Sequence, residues 1–114
     1  MKQSEIWLIN LDPTVGAEIK KTRPAVIVSD NGLGKLPLKV IVPVTDWKEK
    51  YAIAPWMVKI DPNSSNGLLK DSSADCFQVR SVSQERFVRK IGEVDRTTFG
   101  KIQKGLSTVL SINY

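Results

Sequence analysis

The sequence predicts a mainly β fold: a small, closed, strongly bent sheet of the barrel kind with one C-terminal α-helix. Three observations lead there. Five or six short apolar runs rich in Val and Ile alternate with clusters of Gly, Pro, Asn, Asp and Ser. Apolar side chains fall at sustained helical spacing only near the C-terminus. The length of 114 residues suits one domain spanning 1–114, and a hydrophobic fraction of 41% with 25% charged residues suits a chain that buries a core.

Each element follows in order. Glu5 to Leu11 is a mostly apolar strand, ended by the turn-starting pair Asp12-Pro13. Thr14 to Thr22 is a polar loop containing Gly16. Pro24 opens Ala25 to Ser29, a β-branched core strand. Asp30 to Gly34 is turn-rich. In the next strand, Leu38 to Val44, Pro43 predicts an edge or a bulge, because proline cannot donate to a ladder. Ile53 to Ile60 is a further strand, followed by the strongest loop signal, Asp61 to Gly67. Cys76 to Val79 reads as a short strand, and Ser81 with Gln84 as a capping box for one helical turn. Phe87 to Val94 is a strand interrupted by Gly92. Asp95 is the expected N-cap of the helix, whose apolar face carries Phe99, Ile102, Leu106, Val109 and Leu110. Gly100 and Gly105 each cost this helix about 1 kcal/mol, so packing must hold it.

Composition excludes several chemistries. With no histidine, no Ser-His-Asp or Cys-His site and no ordinary Cys/His zinc site can form. The lone Cys76 excludes an intramolecular disulfide and fits a reducing cytoplasm. The opening MKQSEIWLINLDP is too short in apolar residues and too acidic for a signal peptide. No apolar run approaches the ~20 residues that span a bilayer. The net charge of +5 is spread: residues 1–57 carry eight bases and six acids, and residues 58–114 nine and six. A spread surplus suits a surface that meets a polyanion, and it equally suits simple solubility.

The most unusual stretch is Asp12 to Pro24, a polar loop between apolar strands that holds Glu18, Lys20, Lys21 and Arg23. Arg23 directly precedes Pro24, which biases its backbone to an extended conformation at the mouth of a strand. A guanidinium held there suits a phosphate, since its planar fork binds two oxygens. A merely solvated charged loop is the competing reading.

Two blocks, Ile6-Trp7-Leu8-Ile9-Asn10-Leu11-Asp12-Pro13-Thr14-Val15-Gly16-Ala17-Glu18 and Lys21-Thr22-Arg23-Pro24-Ala25-Val26-Ile27-Val28-Ser29, closely resemble the MazF/PemK family of toxin ribonucleases. The resemblance continues through Val42-Pro43-Val44-Thr45 and Gln78-Val79-Arg80-Ser81, in the family's order. It implies an SH3-like barrel of the PemK/CcdB type and a homodimer. It also implies cytoplasmic, metal-independent cleavage of single-stranded RNA, such as mRNA, at short sequences, with no cofactor and no membrane. A cognate antitoxin is the implied partner, blocking the RNA groove. By the same resemblance Glu18, Arg23 and Thr45 are the catalytic residues, and Lys20, Lys21, Gln78 and Arg80 are expected to bind RNA. One departure concerns base preference: many members carry an acid directly before the glutamine, where this chain has Phe77. Asp75 shares that strand parity, but a two-residue shift moves a side chain ~6.6 Å.

The residues support the same chemistry independently. Without histidine or metal, the ribose 2′-OH can serve as a tethered nucleophile. The protein must then remove the 2′ proton, stabilise charge on phosphorus and protonate the leaving 5′ oxygen. Arg23 is the natural charge stabiliser, and Thr45 can donate a hydroxyl hydrogen bond. Glu18 serves either as base or, the favoured reading, by orienting Arg23. Trp7 is expected in the core. Trp47 is left between base stacking and a contact with an antitoxin or a second copy. Arg86, Arg89, Lys90 and Arg96 read as a solvated face and Cys76 as inert core. Two rivals remain: a non-catalytic toxin of the same fold, and a nucleic-acid-binding barrel without catalysis.

Overall fold

The β-branched runs pair into one antiparallel sheet. The computed structural model describes residues 1–33 and 35–113. Its strands are β1 (Glu5–Asn10), β2 (Thr22–Ile27), β3 (Leu38–Asp46), β4 (Met57–Ile60), β5 (Ser72–Asp75), β6 (Arg80–Ser83) and β7 (Phe87–Glu93), followed by the helix α1 (Arg96–Leu110). The strand order is β4-β5-β3-β2-β1-β7, with β6 also on β3. The expected mainly β architecture with one C-terminal helix is therefore present.

β3 organises the sheet. One edge pairs with β2, in register Ala25↔Pro43, Val26↔Val42 and Ile27↔Ile41. The other edge pairs with β6 over Leu38–Ile41 and with β5 over Val44–Asp46. Pro43 was expected at an edge or a bulge, yet it is fully buried in this central strand. It falls where β3 changes partner from β6 to β5, the one interval with no residue registered opposite on that side. That changeover is where a missing N–H can be tolerated.

Alternation along β1–β3 divides two cores. Ile6, Val26, Val42 and Val44 face α1 with Val58, Ile60, Phe99 and Ile102. Ile9, Ala25, Ile27 and Ile41 face the other way, with Leu11 and Val82, and Ile19 of the long loop packs on them. Burial on both faces explains why these strands read as continuous apolar runs. At the sheet's start, Glu5 is nearly buried and accepts from the Trp7 indole and the Lys2 amide, each at 2.9 Å, with Lys90 Nζ at 3.2 Å. Burial alone would push its carboxyl up. The indole, the amide and Lys90 outweigh that and hold it at about 2.

The two ends of the strand order, β4 and β7, are joined by the Asp61–Gly67 loop. The Glu93 amide donates to the Ser65 carbonyl at 2.9 Å. Gly67, at φ +69°, lies so close that a Cβ would stand 2.0 Å from the Ile91 carbonyl oxygen. Gly92, read as an interruption of β7, is the other half of this contact: a Cβ there would meet Ser65 and Asn66 backbone at 2.4 Å.

Asp95 caps α1 as expected, accepting from the Thr98 amide at 2.7 Å. Phe99 and Ile102 are buried, but Leu110, expected on the same face, is exposed in the last turn. Gly105 is no mere weakness in the helix: a Cβ there would sit 2.7 Å from Cys76 Sγ, whereas Gly100 has nothing within 4 Å. Gly100→Ala is therefore expected to stabilise the protein by about 0.5–1 kcal/mol through helix propensity. Gly105→Ala is expected to destabilise it by about 1–3 kcal/mol through overpacking. Opposite shifts of the thermal midpoint check this pair, and a rise in both would contradict the packing of α1.

Other expectations change. Thr22 rather than Ala25 begins β2, which places Arg23 inside a strand. The strand expected from Ile53 is confined to Met57–Ile60, because a 3-10 turn over Glu49–Ile53 and a reverse turn at Pro55 precede it. β5 had no strand signal in the sequence, since Ser72-Ser73-Ala74-Asp75 is polar; all four are buried because β3 and β4 flank them. Cys76–Gln78 is a 3-10 turn rather than a strand, because Asp75 accepts from the Phe77 amide and caps it. Ser83 rather than Ser81 caps the next short turn, accepting from Glu85.

Candidate active site

Arg23 near the start of β2 and Thr45 near the end of β3 lie just beyond the last pair between those strands, Ala25↔Pro43. They line one concavity of about 360 Å³, together with Asp46, Lys70 and Arg89. Lys70 Nζ pairs with Asp46 at 3.0 Å. Among the described residues neither Arg23 nor Arg89 is in an ion pair, so two guanidinium groups remain available to an anion. Arg23 is half-buried, and its Nε donates to the Lys20 carbonyl at 3.4 Å.

A neighbouring concavity of about 560 Å³ contains Glu18, Ile19, Pro43, Phe77, Gln78 and Arg80. Pro43 of this hollow and Thr45 of the other stand two residues apart on β3. Thus Arg23 and Thr45 are gathered in one hollow, and Glu18, Gln78 and Arg80 in the next.

Glu18 does not orient Arg23. Its Oε1 accepts from the Val15 amide at 2.6 Å, closing a tight turn in which Gly16 takes φ +59°. The carboxylate is engaged three residues back, and no ion pair joins it to Arg23. Lys20 and Lys21 are exposed on the same loop. The Lys21 backbone is fixed: its carbonyl accepts from the Leu11 amide, and its amide donates to Asp12 at 3.0 Å.

Gln78 ties the loop to the barrel, its Oε1 accepting from the Ile19 amide at 2.6 Å. Its Nε2 donates to the Ala17 carbonyl and to Asp75, each at 3.3 Å. Asp75 is nearly buried, and that burial pushes its carboxyl up, against the hydrogen bonds from Phe77 and Gln78. Arg80 Nη1 donates to the Leu11 carbonyl at 3.2 Å. Arg86, expected on a solvated face, clamps the end of β1 through the Asn10 carbonyl at 3.2 Å and the Asp12 carbonyl. Arg89 was assigned to that face too. It enters the Arg23 concavity because β7 registers it opposite Leu8, a long-range pairing with no local signal.

The aromatic residues separate. Trp7 packs edge-on to Phe87 at 5.6 Å beside the second core. Trp47 meets Tyr51 edge-on at 6.0 Å, with Lys59 Nζ 5.3 Å from its ring. Phe77 stands 64% exposed at the rim of the Glu18 concavity, edge-on to Trp56 at 5.8 Å. Cys76 is fully buried; burial, with the nearby Asp75, pushes its thiol up to about 12, which keeps it inert at neutral pH.

A family model described as PemK-like, MazF-like toxin of type II toxin-antitoxin system matches residues 2–110. The chain belongs to this family. An endoribonuclease MazF9 of Mycobacterium tuberculosis is 31% identical, the match covering 98% of each chain. An endoribonuclease PemK of Escherichia coli is 32% identical, over 97% of this chain and 83% of that protein. The PemK/MazF-like fold recurs in a crystal structure of MazF from Deinococcus radiodurans, at TM-score 0.80 and 22% identity, covering 98% and 97% of the two chains. An endoribonuclease in complex with its cognate antitoxin, from a mycobacterial species, superposes at TM-score 0.79 and 20% identity, covering 100% and 98%. Among the described residues of this PemK/MazF-like chain, no helix is long and apolar enough to cross a membrane.

Proposed function

We propose that this family member is a cytoplasmic toxin endoribonuclease that cleaves single-stranded RNA, mRNA included, at short specific sequences, without a metal, through the substrate's own 2′-OH. The observation that carries the reading is the half-buried Arg23 lining one hollow with Thr45 and the unpaired Arg89. The scissile phosphate lies against Arg23 and Arg89, whose forks stabilise the extra charge of the five-coordinate phosphorus. Thr45 donates its hydroxyl to a phosphate oxygen. The 2′-oxygen bonds to phosphorus as its proton leaves to a base. The bond from phosphorus to the 5′-oxygen breaks, and that oxygen takes up a proton. Glu18, which lines the adjoining hollow, is the carboxylate assigned to the first transfer once RNA displaces its turn contact. Lys20 and Lys21 meet flanking phosphates, while Phe77 offers an aromatic face to a base.

The test is incubation of purified protein with a long RNA in EDTA. Discrete fragments are expected. Intact RNA, with the protein folded, favours a non-catalytic barrel of the same fold.

The toxin works as a homodimer, with exposed Leu33, Leu36 and Leu38 supplying apolar surface that a second copy would cover. Sedimentation at micromolar concentration is expected to give twice the chain mass, and a monomer mass contradicts it. Its antitoxin is expected to be acidic, with a flexible segment that covers Arg23 and Thr45, because a groove built for phosphates accepts carboxylates in an extended chain. Saturating antitoxin should abolish cleavage. If bound antitoxin leaves cleavage unchanged, occlusion of this groove is the wrong mechanism.

A further inference from the structure

Apart from Ile19, which packs on the second core, the loop that carries Glu18 has little of its own to hold it. Val15 to Lys20 is largely exposed, and the Val15–Glu18 turn bonds only to itself. Among the described residues, both hydrogen bonds that tie Val15–Ile19 to the rest of the molecule come from the Gln78 side chain. That side chain is an amide, with an acceptor end and a donor end, so its orientation matters. The acceptor must face the Ile19 N–H and the donor must face the Ala17 carbonyl.

Asp75 decides between the two orientations. Its Oδ2 accepts from Gln78 Nε2 at 3.3 Å, and an ionised carboxylate can only accept. A flipped Gln78 would set oxygen against oxygen at Asp75 and N–H against N–H at Ile19. Oδ1 of Asp75 is occupied separately, accepting from the Phe77 amide at 3.1 Å. Asp75 is 6% exposed, so water competes poorly for these bonds.

We propose that Asp75 and Gln78 are positioning residues: the carboxylate fixes the orientation of the amide, and the amide holds Ala17–Ile19 as a wall of the RNA groove. The consequence for cleavage rests on the ribonuclease reading; the geometry does not. A family pattern with an acid directly before the glutamine would not require this arrangement. Here the acid stands three residues back and reaches Gln78 through the 3-10 turn that it also caps.

Asp75→Asn is the informative variant because it keeps the shape. The new amide at position 75 still accepts from Phe77 but presents an N–H2 group to the Gln78 N–H2 group. Ile19 amide exchange is then expected to quicken about tenfold, while Phe77 exchange stays within about twofold of the parent. Adding Gln78→Glu restores a donor–acceptor pair at Asp75's position and leaves an oxygen for Ile19, but it loses the donor to the Ala17 carbonyl, so the double variant is expected to recover part of the Ile19 protection. In RNA cleavage, kcat of Asp75→Asn is expected to fall roughly tenfold with KM little changed, and to recover in part in the double variant. The proposal is overturned if Ile19 exchange is unchanged, or if Ile19 and Phe77 lose protection together. It is also overturned if Ile19 loosens while kcat stays at the parent value. Should the parent protein cut no RNA while Ile19 responds as described, the positioning geometry stands and the ribonuclease reading fails.

Discussion

Arg23→Ala is expected to lower the cleavage rate by about 10²–10³ and leave the fold intact. The expected fall follows from the role proposed for Arg23 in the hollow it shares with Thr45, since loss of one preorganised donor to a charged transition state has this magnitude. Arg89 in the same hollow keeps the loss from being larger. The fold survives because the side chain is half-buried and makes one long hydrogen bond, 3.4 Å to the Lys20 carbonyl. Stability should change by no more than about 0.5 kcal/mol. Arg23→Lys should fail substantially too, since an ammonium lacks the planar fork. Single-turnover cleavage beside a thermal melt separates the two effects. Near-parental cleavage by either variant would remove Arg23 from the centre of the mechanism.

The strands that the sequence made legible are those buried on both faces. Ile6, Ile9, Val26, Ile27, Ile41 and Val42 alternate between two cores, so β1, β2 and β3 appear as unbroken β-branched runs. α1 was legible through its cap at Asp95 and its spacing of Phe99 and Ile102. β5 was not, because Ser72-Ser73-Ala74-Asp75 has no apolar pattern and is buried only by the strands on either side. The 3-10 turn at Cys76–Gln78 depends on a single side-chain cap from Asp75, which periodicity does not register.

The site divides similarly. Arg23 and Thr45 stood out as residues; what the sequence lacked is the hollow that both line. A carboxylate–guanidinium pair between Glu18 and Arg23 was the natural expectation for two charges five residues apart. The turn at Gly16 directs the carboxylate to Val15 instead. Arg89 joined the site only through its pairing with Leu8, and Gln78, expected on RNA, has its amide engaged by the loop. In each case a contact distant in sequence decides the role.

The second large effect lies in the substrate. If the 2′-OH is the nucleophile, the nucleotide immediately upstream of the cut must carry it, and no other nucleotide must. Attack closes a five-membered ring at phosphorus, so the products are a 2′,3′-cyclic phosphate, or its hydrolysed 3′-phosphate, and a free 5′-OH. The most direct measurement uses RNA oligonucleotides with one deoxy substitution, cut in EDTA, with the ends of the products identified. With the substitution just upstream of the cut, the oligonucleotide should still bind, because phosphates dominate affinity, but should not be cleaved. Moved one nucleotide downstream, it should leave cutting nearly intact and a 5′-OH on the downstream product. Efficient cleavage of the upstream-deoxy oligonucleotide, or a 5′-phosphate on the downstream product, would contradict the account even if Arg23 proved essential.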